Sequence, residues 1–151
     1  MLIITPEKME AEANSLFNSI HTEDFDWQDR VFLITEDEEV NFFYLKTLLK
    51  RTSARILRAT NGQEAVDLIT GNNHKVDLIL MDINMPVMNG YEAARIIKST
   101  HPHIPIVAQT AYSHTEDREK CLKAGFNDYI AKPIRKAALF NLVGKLLVNH
   151  L

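Results

Sequence analysis

The segment Val76 to Met81 is a nearly continuous apolar run that ends on Asp82, and a turn-rich stretch, Ile83-Asn84-Met85-Pro86-Val87-Met88-Asn89-Gly90, follows at once. So little alternation over so short a run suits a strand covered on both faces, as in a parallel sheet. A carboxylate closing such a strand is held at a sheet edge, where a nucleophile or a metal ligand would be held. The rest of the chain must then supply partner strands and helices for both faces.

It does so in alternation. Val31-Phe32-Leu33-Ile34 and the run Ile104 to Ala108 have the same character, with Pro105 tolerable near a strand entry. Tyr129-Ile130-Ala131 is a shorter strand, and Arg55-Ile56-Leu57-Arg58-Ala59, with its charged flanks, reads as an edge strand. Between these lie stripes at helical spacing: Val40, Phe43, Tyr44 and Leu48; Ala65, Val66 and Ile69 between Gly62 and Gly71; Ala93, Ala94, Ile96 and Ile97 after Asn89-Gly90; and Leu139, Leu142, Val143, Leu146 and Leu147. Each calls for a sheet to lie on. A further helix, Thr115 to Lys123, is mostly charged, has Cys121 and Leu122 as its apolar content and stops at Gly125, so it should be the least firmly docked. Five β/α units with right-handed crossovers imply an α/β, doubly wound, three-layer sandwich, its parallel sheet in the order 2-1-3-4-5.

In such sheets ligands bind outside the carboxyl ends of the strands, at the switch point between strands 1 and 3. Glu36 and Asp37 end strand 1, Asp82 ends strand 3, Thr110-Ala111 ends strand 4 and Lys132-Pro133 ends strand 5. Any one of these alone reads as a turn or surface residue. Together they bring three acids, a hydroxyl and an ammonium to one edge. Carboxylates ~4 Å apart repel by about 4 kcal/mol per pair at an effective dielectric near 20. A hard cation such as Mg²⁺ relieves that repulsion, taking carboxylates, a loop carbonyl and water as ligands. An Asp placed there suits attack at phosphorus, where catalysis is largely positioning and charge neutralisation. Lys132 and Thr110 would meet the phosphoryl oxygens by charge and by a hydrogen bond.

Glu36-Asp37, the stretch Met81-Asp82-Ile83-Asn84-Met85-Pro86 with Asn89-Gly90, Thr110-Ala111, and Tyr129-Ile130-Ala131-Lys132-Pro133 together resemble the receiver domain of two-component response regulators, over about Asp29 to Asn149. Val31-Phe32-Leu33-Ile34-Thr35-Glu36-Asp37 and Met85-Pro86-Val87-Met88-Asn89-Gly90 are most similar to receivers of hybrid sensor histidine kinases. Thr35, where that family usually has an aliphatic residue, is a mild departure. The resemblance implies a flavodoxin-like fold and a role for each residue. Asp82 would accept a phosphoryl group from a partner's phosphohistidine. Asp37, Asp82 and the main-chain carbonyl of Asn84 would hold Mg²⁺, with Glu36 acting mainly through water. Thr110 would move to the phosphoryl group, Tyr129 would follow it inward as an aromatic switch, and Lys132-Pro133 would be the family's frequently cis peptide. The implied partner is a histidine kinase or histidine phosphotransfer protein, and the implied activity is self-phosphorylation with slow hydrolysis. A monomer or weak dimer is expected, in the cytoplasm or as the cytoplasmic part of a membrane-bound hybrid kinase.

Composition narrows the alternatives. A chain of 151 residues buries roughly 68 to 70% of its unfolded surface, enough for one core of ordinary size. With a formal net charge of −3 and no basic cluster, nucleic acid is not an expected partner. Cys121 stands alone, which excludes an internal disulfide and suits a reducing compartment. No apolar run reaches membrane length, and Met1-Leu2-Ile3-Ile4 is too short for a signal peptide. The receiver-like part is taken as residues 29–151 and residues 1–28 as a helical extension or linker. Its Thr5-Pro6-Glu7 start is followed by Met9, Ala13, Leu16, Phe17 and Ile20, and Trp27 would anchor the chain before strand 1. His101-Pro102-His103 reads as a surface loop, because a metal site needs three or four placed ligands. His74, His114 and His150 belong to no constellation, and the scattered glycines form no phosphate-binding loop.

Two other functions stay open on this reading. An Asp-nucleophile phosphatase or dehalogenase would usually carry an acid two positions after the nucleophile, where this chain has Asn84. A degenerate receiver could serve purely as a binding module, although every reactive position is filled.

Overall fold

The computed structural model describes residues 5–12, 25–71, 75–111 and 115–149. Strands β1 (Val31–Thr35), β2 (Arg55–Ala59), β3 (Leu78–Asp82), β4 (Ile106–Thr110) and β5 (Asp128–Ala131) alternate with helices α1 (Glu39–Lys50), α2 (Gly62–Gly71), α3 (Gly90–Thr100), α4 (Thr115–Ala124) and α5 (Lys136–Asn149). The five strands are parallel and lie in the order β2-β1-β3-β4-β5. This is the doubly wound sandwich expected from the sequence, with β2 on an edge.

Strand alternation divides the core into two layers. Leu33, Ile79, Met81, Ile106 and Ala108 pack with α2, α3 and α4, whereas Phe32, Ile34, Leu78, Leu80 and Val107 pack with α1 and α5. All five residues of β3 are buried. Val76 and Asp77 precede this strand rather than belong to it. The Asp77 carboxylate accepts the Val31 N–H at 2.8 Å and pairs with Arg30 and Lys75, fastening the lower edge of the sheet. Likewise β4 begins after Ile104-Pro105, because proline brings no N–H to the ladder; its carbonyl still accepts the Ile79 N–H.

Two helical stripes differ from their sequence reading. In α1 the buried residues are Leu45 and Leu49, with Phe42 and Leu48 partly buried, whereas Val40 is 80%, Phe43 69% and Tyr44 45% exposed. The helix is apolar around much of its circumference, so periodicity alone does not choose its inward face. In α4, Cys121 and Ala124 are buried but Leu122 is 56% exposed, which leaves this helix with little apolar anchorage.

Residues 6–12 are helical and exposed, with the Thr5 hydroxyl accepting the Lys8 N–H; the rest of the proposed apolar stripe, from Ala13 to Ile20, lies outside the described residues, as do His74, His114 and His150. Further on, Trp27 is buried against Phe32 and Phe140, and its main-chain N–H donates to the Thr52 carbonyl at 2.7 Å. Phe25 joins the same aromatic group and lies over Gly144 of α5, where a Cβ would come within 2.9 Å of its ring. The aromatic chain entry thus closes the core at the end of the sheet opposite Asp82.

Candidate functional site

The upper edge is assembled by strand register. Asp82 of β3 pairs with Gln109 of β4, and Thr110 pairs with Ala131 of β5, immediately before Lys132. Continuing the alternation, Glu36, Asp82 and Gln109 fall on the α1/α5 face of the sheet. Thr110 falls on the opposite face, where half-buried Tyr129 packs against the α2–α4 layer.

The loop after β3 folds back tightly on the strand end. The Gly90 N–H donates to the Ile83 carbonyl at 2.9 Å, and a Cβ on Gly90 would lie 2.5 Å from the Asp82 carbonyl oxygen. Only glycine fits so close a backbone approach. Next to it the Asn89 side chain accepts the Glu92 N–H and caps α3. Asp82 itself is held by the Asn84 N–H, which donates to Oδ1 at 3.3 Å.

Glu36, Asp37 and Asp82 each place a carboxylate oxygen within 4.8 Å of the others'. Glu36 is fully buried, Asp82 is 6% exposed and Asp37 is exposed. Lys132 reaches in from β5, with Nζ 3.2 Å from Asp82 Oδ2 and 3.6 Å from Glu36 Oε2. Its main chain is fixed by its N–H donating to the Thr110 carbonyl at 2.8 Å, and the Lys132-Pro133 peptide is cis. The sequence-predicted acids and lysine therefore meet. Thr110, 5% exposed, stands at the same edge, and exposed Asn84 contributes the loop backbone next to Asp82.

The electrostatics favour added positive charge. Burial, and then the Asp82 charge, raise the Glu36 carboxyl above its ordinary range, against the opposing pull of Lys132. For Lys132, burial pulls the ammonium down, but Asp82 and Glu36 together outweigh it and raise it. Glu36 Oε1 accepts the Glu38 N–H and an Asn41 amide N–H, whereas buried Oε2 has no hydrogen-bond donor. A buried acceptor without a donor, beside two further carboxylates, is a donor set that fits a hard divalent cation. Among the described residues, this acidic group is the cluster able to hold a metal; His101 and His103 are not part of one.

Sequence reasoning gave no site role to Asn41, Tyr44, Arg58 or Gln109. Asn41 orients Glu36, Tyr44 donates to the Ile134 carbonyl at 2.7 Å, and Arg58 donates to the Glu36 carbonyl while stacking on Phe42. Their sequence neighbourhoods carry no motif. Their importance comes from which strand or helix end faces the acids.

The chain matches the family model described as the response regulator receiver domain over residues 32–144. It is 37% identical over 122 residues to "Hybrid signal transduction histidine kinase M" of Dictyostelium discoideum, covering 78% of this chain but only 5% of that protein's length. The receiver domain of sensor histidine kinase PA1611 from Pseudomonas aeruginosa, solved with magnesium coordinated in its active site cleft, is 35% identical with a TM-score of 0.71, covering 79% of this chain and 98% of that one. The receiver domain of Ssk1 from Saccharomyces cerevisiae, solved with the histidine phosphotransfer protein Ypd1, is 31% identical with a TM-score of 0.74, covering 81% of this chain and 92% of that one. With the family model spanning most of the chain and the acids, lysine and sheet order all in place, this chain belongs to the response regulator receiver domains of two-component signalling.

Proposed function

We propose that Asp82 accepts a phosphoryl group from a phosphohistidine on a partner protein. The observation that carries this reading is the pairing of a nearly buried carboxylate with Lys132 at 3.2 Å inside an acidic group suited to a cation. An Asp82 oxygen attacks phosphorus; the O–P bond forms as the P–N bond breaks, and its electron pair leaves on the imidazole. Asp37, Asp82 and the Asn84 main-chain carbonyl would hold Mg²⁺, with Glu36 contributing mainly through water. Bound Mg²⁺ supplies neutralisation of the charge gathered on the acids and the incoming phosphoryl oxygens. Lys132 pairs with one phosphoryl oxygen and Thr110 hydrogen-bonds another. The group is passed on or hydrolysed slowly, and the domain works in the cytoplasm, free or within a hybrid kinase.

The donor's docking face is α1. Its exposed Val40, Phe43 and Tyr44 stand beside the acids, because α1 starts just after Glu36 and Asn41 touches that carboxylate. Phe43→Asp should slow transfer from a phosphohistidine donor about tenfold or more, in the range of an interface hot spot, and leave labelling by acetyl phosphate unchanged. Equal rates from the protein donor would place docking elsewhere.

Output runs through Thr110 and Tyr129 to α4, on the face built by α4, β5 and α5. The weak anchorage of α4 makes its rearrangement inexpensive. Cys121 reports on it: the thiol is 2% exposed, and burial pushes its pKa up, so alkylation of the resting domain should be slow. Beryllofluoride with Mg²⁺ should accelerate alkylation severalfold, and Thr110→Ala should remove that acceleration. An unchanged rate would mean relay without conformational output. The core reading is tested by incubation with phosphohistidine donors in Mg²⁺: stoichiometric labelling supports it, and multiple turnover on phosphomonoesters would replace it with a phosphatase.

A further inference from the structure

The outer face of α1 is not uniform in charge. At its N-terminal end Asp37, Glu38 and Glu39 are exposed beside the candidate metal site, and exposed Val40 and Phe43 follow as an apolar ridge. On the flank toward β2 the charge reverses. The Phe42 ring carries the Arg58 guanidinium 4.5 Å and the Lys46 ammonium 6.0 Å from its centroid. Lys46, itself exposed, stands about two helical turns beyond Glu39, or ~10 Å along the axis.

Arg58 is held in place from two sides. Its Nη2 donates to the Glu36 carbonyl at 3.3 Å while the guanidinium stacks on Phe42, so little side-chain freedom is left to lose when a partner binds. Its Nε is buried, whereas Nη1, which has no internal partner, keeps contact with solvent. Among the described residues the ion pairs are those of Arg30 and Lys75 with Asp77 and of Lys132 with Glu36 and Asp82, so neither Arg58 nor Lys46 has a counter-ion. Glu64, the acid of α2 near enough to sense the Arg58 charge, is taken up by the Thr60 N–H and hydroxyl. A groove of about 400 Å³, lined by Glu39, Val40, Phe42, Phe43 and Arg58, opens on this flank.

We infer that Arg58 and Lys46 are the cationic edge of the donor's docking face, and that the partner it fits carries carboxylates ~10 Å from its phosphohistidine, beside an apolar patch that covers Val40 and Phe43. The inference rests on the reading in which a donor docks on α1. The layout selects orientation as well as partner. With the phosphohistidine over the acidic end, the donor's carboxylates meet Arg58 and Lys46. A donor turned end for end would set those carboxylates against Asp37, Glu38 and Glu39. Like charges facing one another disfavour that pose, whereas a guanidinium already fixed in place favours the first.

The test uses a phosphohistidine protein that labels the wild-type domain, with each variant's own labelling by acetyl phosphate, which needs no docking, as its reference. Relative to that reference, Lys46→Glu should lower kcat/KM for the protein donor about threefold and Arg58→Glu about tenfold, through KM, with the rate at saturating donor kept. Added salt should slow transfer to wild type but not to the double variant, in which attraction has become repulsion. Changing the donor's carboxylates to Lys one at a time should restore transfer to the Arg58→Glu domain for at least one of them. Three results would overturn the inference: an unchanged kcat/KM in both variants, a loss confined to the saturated rate, or no restoring change in the donor. If Arg58→Glu folds poorly, exposed Lys46→Glu and its own restoring donor change decide alone. A wild-type domain labelled by no phosphohistidine protein, or a Phe43→Asp rate equal to wild type, would remove the docking reading underneath, and those outcomes are distinct from the other three.

Discussion

Asp82→Asn should abolish Mg²⁺-dependent labelling from acetyl phosphate or a phosphohistidine donor, down to the background of the assay. The carboxamide is nearly isosteric, and its oxygen can still accept the Asn84 N–H that now reaches Oδ1 at 3.3 Å. What it loses is the anionic nucleophile and half of the ion pair with Lys132. Stability should change little, since loss of that pair is offset by loss of repulsion with Glu36, which the Asp82 charge now helps to raise. Phosphate-affinity electrophoresis reads the label and circular dichroism checks the fold. Undiminished labelling of a folded variant would move the phosphosite to another residue.

Much of the fold is legible in the sequence because it is written in short-range patterns. The α2 bounds, Gly62 and Gly71, are marked by glycines, and the fully buried β3 is an apolar run without alternation. The acids and Lys132 are legible for a different reason: strand ends in a doubly wound sheet converge by topology, so their meeting needs no knowledge of side-chain conformation. Where the reading slipped, tertiary packing decided. In α1 a helix apolar on more than one face offers two candidate stripes, and the sheet takes Leu45 and Leu49, leaving Val40 and Phe43 outside. The exposed stripe is then the one that suggests a docking function. Phe25 in its acid-rich surroundings reads as linker. Its complement is Gly144, 119 residues later, a distance that no local pattern spans. Gln109 is hidden in the same way. Between Ala108 and Thr110 it resembles an ordinary outward polar residue of a strand, and only the helices covering both faces of β4 make it buried.

The acids should respond unequally to substitution, and in a manner that separates metal binding from folding. Asp37→Ala is expected to weaken Mg²⁺ about a hundredfold, or ~2.8 kcal/mol at 1.4 kcal/mol per tenfold, which is less than the ~4 kcal/mol of a unit charge at ~4 Å and an effective dielectric of 20. Glu36→Gln should weaken it less, because a group acting through water neutralises less charge directly. Without metal the order of effects reverses. The folded-state pKa of Glu36 is raised above the ordinary 4.5, mainly by burial, so between that value and its folded pKa the native state holds a proton that the unfolded chain has released. Stability therefore falls as pH rises through that window, and the ionised carboxylate is a standing cost above it. Glu36→Gln removes the titrating group. The metal-free variant should match wild type in acid and become the more stable of the two as pH rises toward neutrality; saturating Mg²⁺ should narrow or invert the gap. Denaturant midpoints at a series of pH values, with and without Mg²⁺, measure this directly. A Glu36→Gln midpoint that tracks wild type across the series would show that the buried carboxyl carries no such cost, and that the acidic group is satisfied without a cation.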